Sequence, residues 1–556
     1  MKKNMKRISA MILVISVLFL TSCTAIKECV DDYRVISNAI VPDSELNLTS
    51  DLIFDFDERI PAQMEERFAR MSDLLASNSV IRGVFFLALF NQQASDLAYI
   101  ADHAGLANLR FYVDPQNNEA REEYLRLNKM YTDLSAQLLA MYRPIYESNF
   151  GFLLFGNMED SQVDKLLALA DSYTGEVAEL IQERNDLVSL YQQLDSTSSE
   201  FLSESAEIYY EIVQINHEIA EQSSYESYAE YAYAVTYSRD YSTTEAKDLH
   251  GYVRDYIVPL AKDLYFDIRT TAMENPALAQ RLSEELIAVF EKQLTVSSAN
   301  AEFSEYYALQ YDDPDAFIDD WENYSVFGDE NSYPIAFTLS LRYYNMPICY
   351  FGTGYQGIST LIHEMGHFDA SYVTPGGYTS IDLNEVHSQG NEWLYYSYLK
   401  EKYQGDEEVY ELLIKSKLYE HCLTIILSTA CDMFEQRVYA APETSAVEYD
   451  ALFEDCIAEL NAASILENSI SIEPSSYWHL AIISNSMYYL SYAVSLIPSI
   501  ELHLIAEQEG IERAAECYIA LTDGNGEIAF QKALEDAGLS SPFKEDVYVR
   551  LSEFFE

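Results

Sequence analysis

Apolar residues spaced three and four apart run through most of this chain beyond residue 50, and that spacing fits one face of an α-helix. The segment from Ser161 to His217, with "VDKLLALADSYTGEVAELIQERNDLVSLYQQL" at its heart, reads as long paired helices. The run "DSTSSE" breaks the period where a hairpin turn would sit. Only 19 Gly and 14 Pro occur in 556 residues, so few positions interrupt a helix. One piece departs from the pattern. Residues 325–356, "SVFGDENSYPIAFTLSLRYYNMPICYFGTGYQ", mix Pro and Gly with short or alternating apolar runs and predict a small sheet of two or three strands. Helices resume at Ile358 and continue to the end. The expected fold is mainly α, with a small β-sheet beside the helix that starts at Ile358.

The first residues, "MKKNMKRISAMILVISVLFLTSC", have the form of a targeting segment. Lys2, Lys3, Lys6 and Arg7 make a basic start, and Ile8 to Leu20 an apolar run shorter than the roughly 18–20 residues that a membrane-spanning helix requires. Leu-Thr-Ser-Cys then resembles a bacterial lipobox, which implies cleavage before Cys23 and lipid on its sulfur. Residues 1–22 are therefore read as a lipoprotein signal peptide and 23–50 as a stalk. Residues 51–240 are read as an N-terminal helical lobe with the long hairpin, and 241–556 as a second helical part containing the sheet. The expected location is the bacterial cell surface or the periplasmic face, held by the N-terminal lipid alone.

Formal net charge is −57, which repels nucleic acid and anionic lipid because both carry phosphate. It also suggests basic peptides as partners, although a solvated acidic surface needs none. Besides Cys23, the cysteines at 29, 349, 422, 431, 456 and 517 are scattered, with no CxxC pair and no disulfide framework. Most are expected to be small core residues.

The chemistry sits in "ISTLIHEMGHF", residues 358–368. Positions i and i+4 of a helix share a face, so His363 and His367 can both point at one ion, expected to be Zn2+. Glu364, one residue along, is placed to act as general base on a water that the metal acidifies. Gly366 leaves room for close approach of another element. A catalytic zinc needs a third protein ligand and an open fourth position. No third histidine follows at short spacing, since position 373 is Val. The helix "SIDLNEVHSQGNEWLYYSYL" supplies Glu385, with Ser388 and Glu392 on the same face. Glu385 is assigned as ligand, with Glu392 the alternative. Pro375, Gly376 and Gly377 suggest a turn between the two helices. Asp369 and Asp382 are expected at the surface or as caps, and His387 in a supporting role.

"STLIHEMGH" followed by "NEVHSQGNEWL" resembles the oligoendopeptidase F and thimet oligopeptidase family of zinc metallopeptidases, which are gluzincins. The likeness extends over about residues 130–540. It includes "SYAEYAYAVTYSRDYSTTEAKDLHGYVRDYIVPLAKDLY", "ACDMFEQRVYAAP" and "MPICYFGTGYQGISTLIHE", the last similar to the family's edge strand. The resemblance implies a two-lobed helical peptidase with one zinc ion, in which a deep channel admits short unstructured peptides. It also implies a downstream His and Tyr cluster at the scissile carbonyl. "YWHLAIISNSMYYLSYAVS" fits, with His479 and, from their three-residue spacing, Tyr489 and Tyr492; Tyr488 is the alternative. This stretch has no Gly between His479 and Ser495, where some members have a Gly-rich loop.

The reading is a membrane-anchored oligoendopeptidase whose peptide substrate adds as a strand near "ICYFGT". Two others compete: another gluzincin such as an aminopeptidase, and a non-catalytic peptide-binding lipoprotein. The first lacks a "GxMEN" stretch for a substrate amino terminus; the second has no use for a general base at Glu364.

Overall fold

The computed structural model describes residues 54–555 apart from 78, 157, 159, 173–174, 287–302, 375–379, 522–525 and 527. The leader, the lipobox Cys23, Cys29, the stalk and the turn at Pro375–Gly377 therefore lie outside the described residues. The architecture is mainly helical with one small sheet. The chain divides into two compact units: residues 1–107 with 121–178, and 108–120 with 179–556.

In the first unit, helix α1 (Arg59–Ser77) buries Ile60, Met64, Phe68, Met71 and Leu74, one apolar stripe at helical spacing. Arg67 lies on the same stripe, and its guanidinium is compensated by Gln93 (2.8 Å) and by an ion pair with Asp96 on α2 (Val80–Val113).

In the second unit, "DSTSSE" immediately precedes α3 (Phe201–Gln222). The sheet has strands β1 (Ser325–Phe327), β2 (Ala336–Leu341) and β3 (Met346–Phe351) in the order β1-β3-β2. β1 runs parallel to β3 and β2 antiparallel to it, with Ser325 and Thr338 both opposite Cys349. Ile348 through Phe351 are fully buried in succession, as a strand covered on both faces must be. Four helices of this unit build the surroundings of the histidine motif: α4 (Ile358–Val373), α5 (Ile381–Lys402), α6 (Glu407–Ala440) and α7 (Leu490–Glu509). α4 packs on β2, β3 and α5, and α5 packs along α7.

The centre of α5 has no exposed face: every residue from Glu385 to Ser397 is buried. Glu385, His387, Ser388, Gln389, Asn391 and Glu392 are all among them, and buried polar groups persist only where they are paired. Cys349, Cys422, Cys431, Cys456 and Cys517 are buried free thiols. Among the described residues, no helix is long and apolar enough to cross a membrane.

Burial pushes the imidazoles of His103 and His503 down to about 4 from an ordinary value of 6.5. As pH falls below 6.5 the unfolded chain takes up these protons before the folded one does. Stability is therefore complete above 6.5 and drains away toward pH 4, by on the order of 1–2 kcal/mol per histidine at pH 5. Urea midpoints measured from pH 7.5 to 5 should fall accordingly, and His503→Gln should flatten the slope.

Candidate metal centre

α4 and α5 meet at Gly366. A Cβ there would stand 2.5 Å from the His387 carbonyl oxygen and 2.7 Å from Ser388 Cα, so only glycine permits this crossing. Asn391, in the same contact, fastens it by donating Nδ2 to the Ile362 carbonyl (2.8 Å) while Tyr306 donates to its Oδ1 (2.6 Å). With the helices locked this close, His363 and His367 on α4 face Glu385 on α5. Each offers one ligand atom, and these atoms lie within 4.8 Å of one another. Two imidazoles and a carboxylate on rigid helices are a donor set that can chelate a metal ion, and they fit zinc.

The surroundings decide which atoms are free to bind. His363 Nδ1 bonds Glu392 Oε1 at 2.8 Å, leaving Nε2 for an ion. Glu385 Oε1 accepts a hydrogen bond from the Tyr488 hydroxyl at 2.5 Å, whereas Oε2 lies 4.0 Å from His367 Nε2. Burial alone would raise Glu392, but Lys417 Nζ at 2.6 Å and the His363 hydrogen bond hold it well below the usual carboxylate range. Lys417 is itself almost fully buried, with its ammonium 5.5 Å from the Tyr396 ring centre. Behind them Trp393 Nε1 donates to His421 Nδ1 (2.9 Å), and His421 Nε2 lies 3.8 Å from Glu392.

Glu364 points from α4 toward the sheet, where Oε2 accepts from Thr338 Oγ1 of β2 at 2.8 Å. Burial pushes its carboxyl up to about 7, against the opposing pull of His363 and Thr338. A carboxylate with that affinity can both accept and return a proton near neutral pH.

No protein-family model and no curated protein sequence matches the chain. Solved structures do. PZ peptidase A in complex with an inhibitor superposes with a TM-score of 0.69 at 16% identity, covering 90% of this chain and 98% of that one. A protein assigned as oligoendopeptidase F from Bacillus anthracis str. Ames gives 0.68 at 18%, covering 92% and 98%. A carboxypeptidase from Pyrococcus furiosus gives 0.55 at 13%, covering 90% and 100%.

This chain has the oligoendopeptidase F fold.

Within this fold several sequence expectations need correction. β3, which contains "ICYF", is the central strand and already pairs on both sides, so no peptide can add to it; among the described residues the long edge left open is that of β2. His479 is held elsewhere. Its Nδ1 bonds Ser205 Oγ (2.8 Å), its Nε2 bonds Asp450 Oδ1 (3.0 Å), and its ring stacks on Trp478. Both ring nitrogens are thus occupied outside the His363–His367–Glu385 cluster. Tyr489 faces Tyr477 rather than the cluster. Tyr488 touches Glu385 directly, and Tyr492 packs edge-on against it. Burial raises the Tyr492 hydroxyl, and the Glu385 and Glu364 charges raise it further.

Three-residue spacing favoured Tyr489 with Tyr492, whereas the tyrosines beside Glu385 are the alternative Tyr488 and Tyr492, four residues apart. Met487, at φ +63°, turns the chain, and the helical turn starts directly after it: the Tyr488 carbonyl accepts from Ser491 N (2.9 Å) and the Tyr489 carbonyl from Tyr492 N (3.1 Å). Asp369 and Asp382 are buried rather than exposed: Tyr311 donates to the first and Tyr241 (3.0 Å) to the second. Sequence reasoning missed Thr338 and Lys417, which carry no motif of their own. His387 is structural, its Nε2 lying 3.2 Å from the Leu521 carbonyl.

Proposed function

We propose that the protein is a zinc metallopeptidase that hydrolyses internal bonds of short peptides. The observation that carries this is Glu364: an acid buried beside three convergent ligand groups, fixed by Thr338, in a position that binding alone does not require. Zinc held by His363 Nε2, His367 and Glu385 Oε2 would acidify a water molecule and polarise the peptide carbonyl. The chain's own groups supply the rest. A peptide laid along the open edge of β2 passes the carboxylate anchored on that strand. Glu364 takes a proton as water attacks and delivers it to the departing amine. Tyr488, with Tyr492 beside it, turns its hydroxyl hydrogen from Glu385 Oε1, where it rests, to the developing oxyanion.

On this reading Tyr488→Phe lowers kcat about 100-fold with little change in KM. Tyr489→Phe stays near wild type. The reverse order, from steady-state kinetics on one fluorogenic peptide, would return the assignment to Tyr489.

Anchoring at Cys23 to the outer face of a bacterial membrane rests on the lipobox and the short apolar leader. The charge of −57 supports a preference for cationic peptides. Matched Lys-rich and Glu-rich peptides hydrolysed at equal rates in low salt would dismiss that preference.

The deciding experiment takes protein lacking residues 1–23 and a mixed peptide library, with and without chelator. Internal cleavage that chelator abolishes and zinc restores is expected. Removal of single residues from one end would replace the endopeptidase with an exopeptidase, a reading favoured by the carboxypeptidase of the same fold. Retention of peptides without cleavage would make the protein a binding lipoprotein.

A further inference from the structure

The contact between Tyr488 and Glu385 joins the non-helical residues before α7 to the first turns of α5. Met487, just before Tyr488, has φ +63°, a conformation that costs a non-glycine residue on the order of 1 kcal/mol. Something must hold it.

The holding groups come from two distant places. The Met487 N–H donates to Glu435 Oε1 on α6 (2.7 Å). Its carbonyl accepts from Arg239 Nη2 (2.9 Å), and the same nitrogen reaches Ser491 Oγ (3.1 Å) and the Tyr488 carbonyl (3.5 Å). Tyr237, two residues before Arg239, donates to the Ser486 carbonyl (2.8 Å). Three successive residues, 486 to 488, thus have backbone groups bound by side chains that lie about 50 or 250 positions away.

Arg239 also holds the other partner. Its Nε lies 3.7 Å from Oδ1 of Asp382, three residues before Glu385 and on the same face of α5. Tyr241 donates to the second oxygen of that carboxylate at 3.0 Å. The guanidinium side chain is fully buried and stacks against the rings of Tyr233 (4.4 Å) and Tyr237 (4.9 Å). A planar, forked, permanently charged group suits this task; a lysine ammonium has neither the reach nor the plane.

We infer that Arg239 is a positioning residue that sets the Tyr488 hydroxyl against Glu385 by gripping residues 487–491 on one side and Asp382 on the other. This rests on the peptidase reading for its effect on rate, but its geometry stands independently. It gives the segment "TYSRDY" a purpose that its sequence context alone does not.

The test is Arg239→Lys, which keeps a positive charge beside Asp382. kcat should fall about 10- to 100-fold with KM within about twofold. In a Tyr488→Phe background the same substitution should cost less than about twofold more, because residues that act through one another are non-additive. A crystal structure of the metal-free variant should show the Tyr488–Glu385 hydrogen bond broken. Multiplicative losses in the double variant, or an intact bond in the crystal, would overturn the inference. If the wild-type protein cleaves no peptide, or Tyr488→Phe leaves kcat unchanged, the catalytic reading of Tyr488 fails and the crystal structure alone judges Arg239. Should Arg239→Lys not fold, as circular dichroism would show, Tyr237→Phe removes the hold on Ser486 without disturbing any charge. The same readouts then apply, with an expected loss in kcat of about three- to tenfold.

Discussion

Glu364→Gln is expected to lower kcat by about 1,000-fold, within the 100- to 10,000-fold range typical of general acid–base groups. The substitution keeps the shape and leaves an oxygen for the Thr338 hydroxyl, which now fixes Oε2 at 2.8 Å. It removes only the ability to take a proton. Metal content, measured by mass spectrometry after dialysis, should be unchanged because His363, His367 and Glu385 remain. KM should move little. Turnover within tenfold of wild type would show that proton transfer runs through another group.

Glu392→Gln should damage both stability and metal binding. The carboxylate stands between His363 Nδ1 at 2.8 Å and Lys417 Nζ at 2.6 Å. Lys417 is 2% exposed and its other carboxylate, the half-exposed Glu420, lies farther off at 3.6 Å, so neutralising Glu392 leaves a buried ammonium poorly compensated. Breaking such a pair costs about 3–5 kcal/mol, readable as a shift in the urea midpoint. The same change loosens the imidazole, and zinc affinity measured by chelator competition should drop about 10- to 100-fold. Adding Lys417→Met separates the two effects. It removes the poorly compensated charge and should restore most of the stability, while affinity stays low. Recovery of both together would mean that the affinity loss came from unfolding rather than from a misdirected ring.

The parts of this site that could be read from sequence share one property: they are local. A helical period puts His363 and His367 on one face whatever surrounds them, and it puts Glu385, Ser388 and Glu392 on one face of the next helix. The glycine between the histidines signalled a tight crossing, and the structure shows the carbonyl that it lets in. The sheet was visible as an interruption in helical period. Its pairing order was not, because β1 and β3 become neighbours through a non-local parallel match that no window of sequence displays.

The tyrosines show where local reasoning stopped. Helical spacing was applied to Tyr489 and Tyr492, and it does relate them, yet it could not say which side of the turn faces Glu385: Tyr488 meets that carboxylate and Tyr489 faces Tyr477. His479 failed for a different reason: a histidine near the expected position is no guide to where its nitrogens are spent, and here Ser205 and Asp450 take them. Composition also misled. Asp369 and Asp382 were expected at the surface or as caps, and both are buried.

By itself, then, the sequence determined a helical chain, two histidines and a base on one helix, and a candidate carboxylate on the next, because each follows from backbone period. Only the tertiary structure decided which strand edge is open, which tyrosine meets Glu385, and which buried charges hold one another. Those choices depend on partners far away in the chain, and a charged group can stay buried only where folding brings its counterpart within a few ångströms.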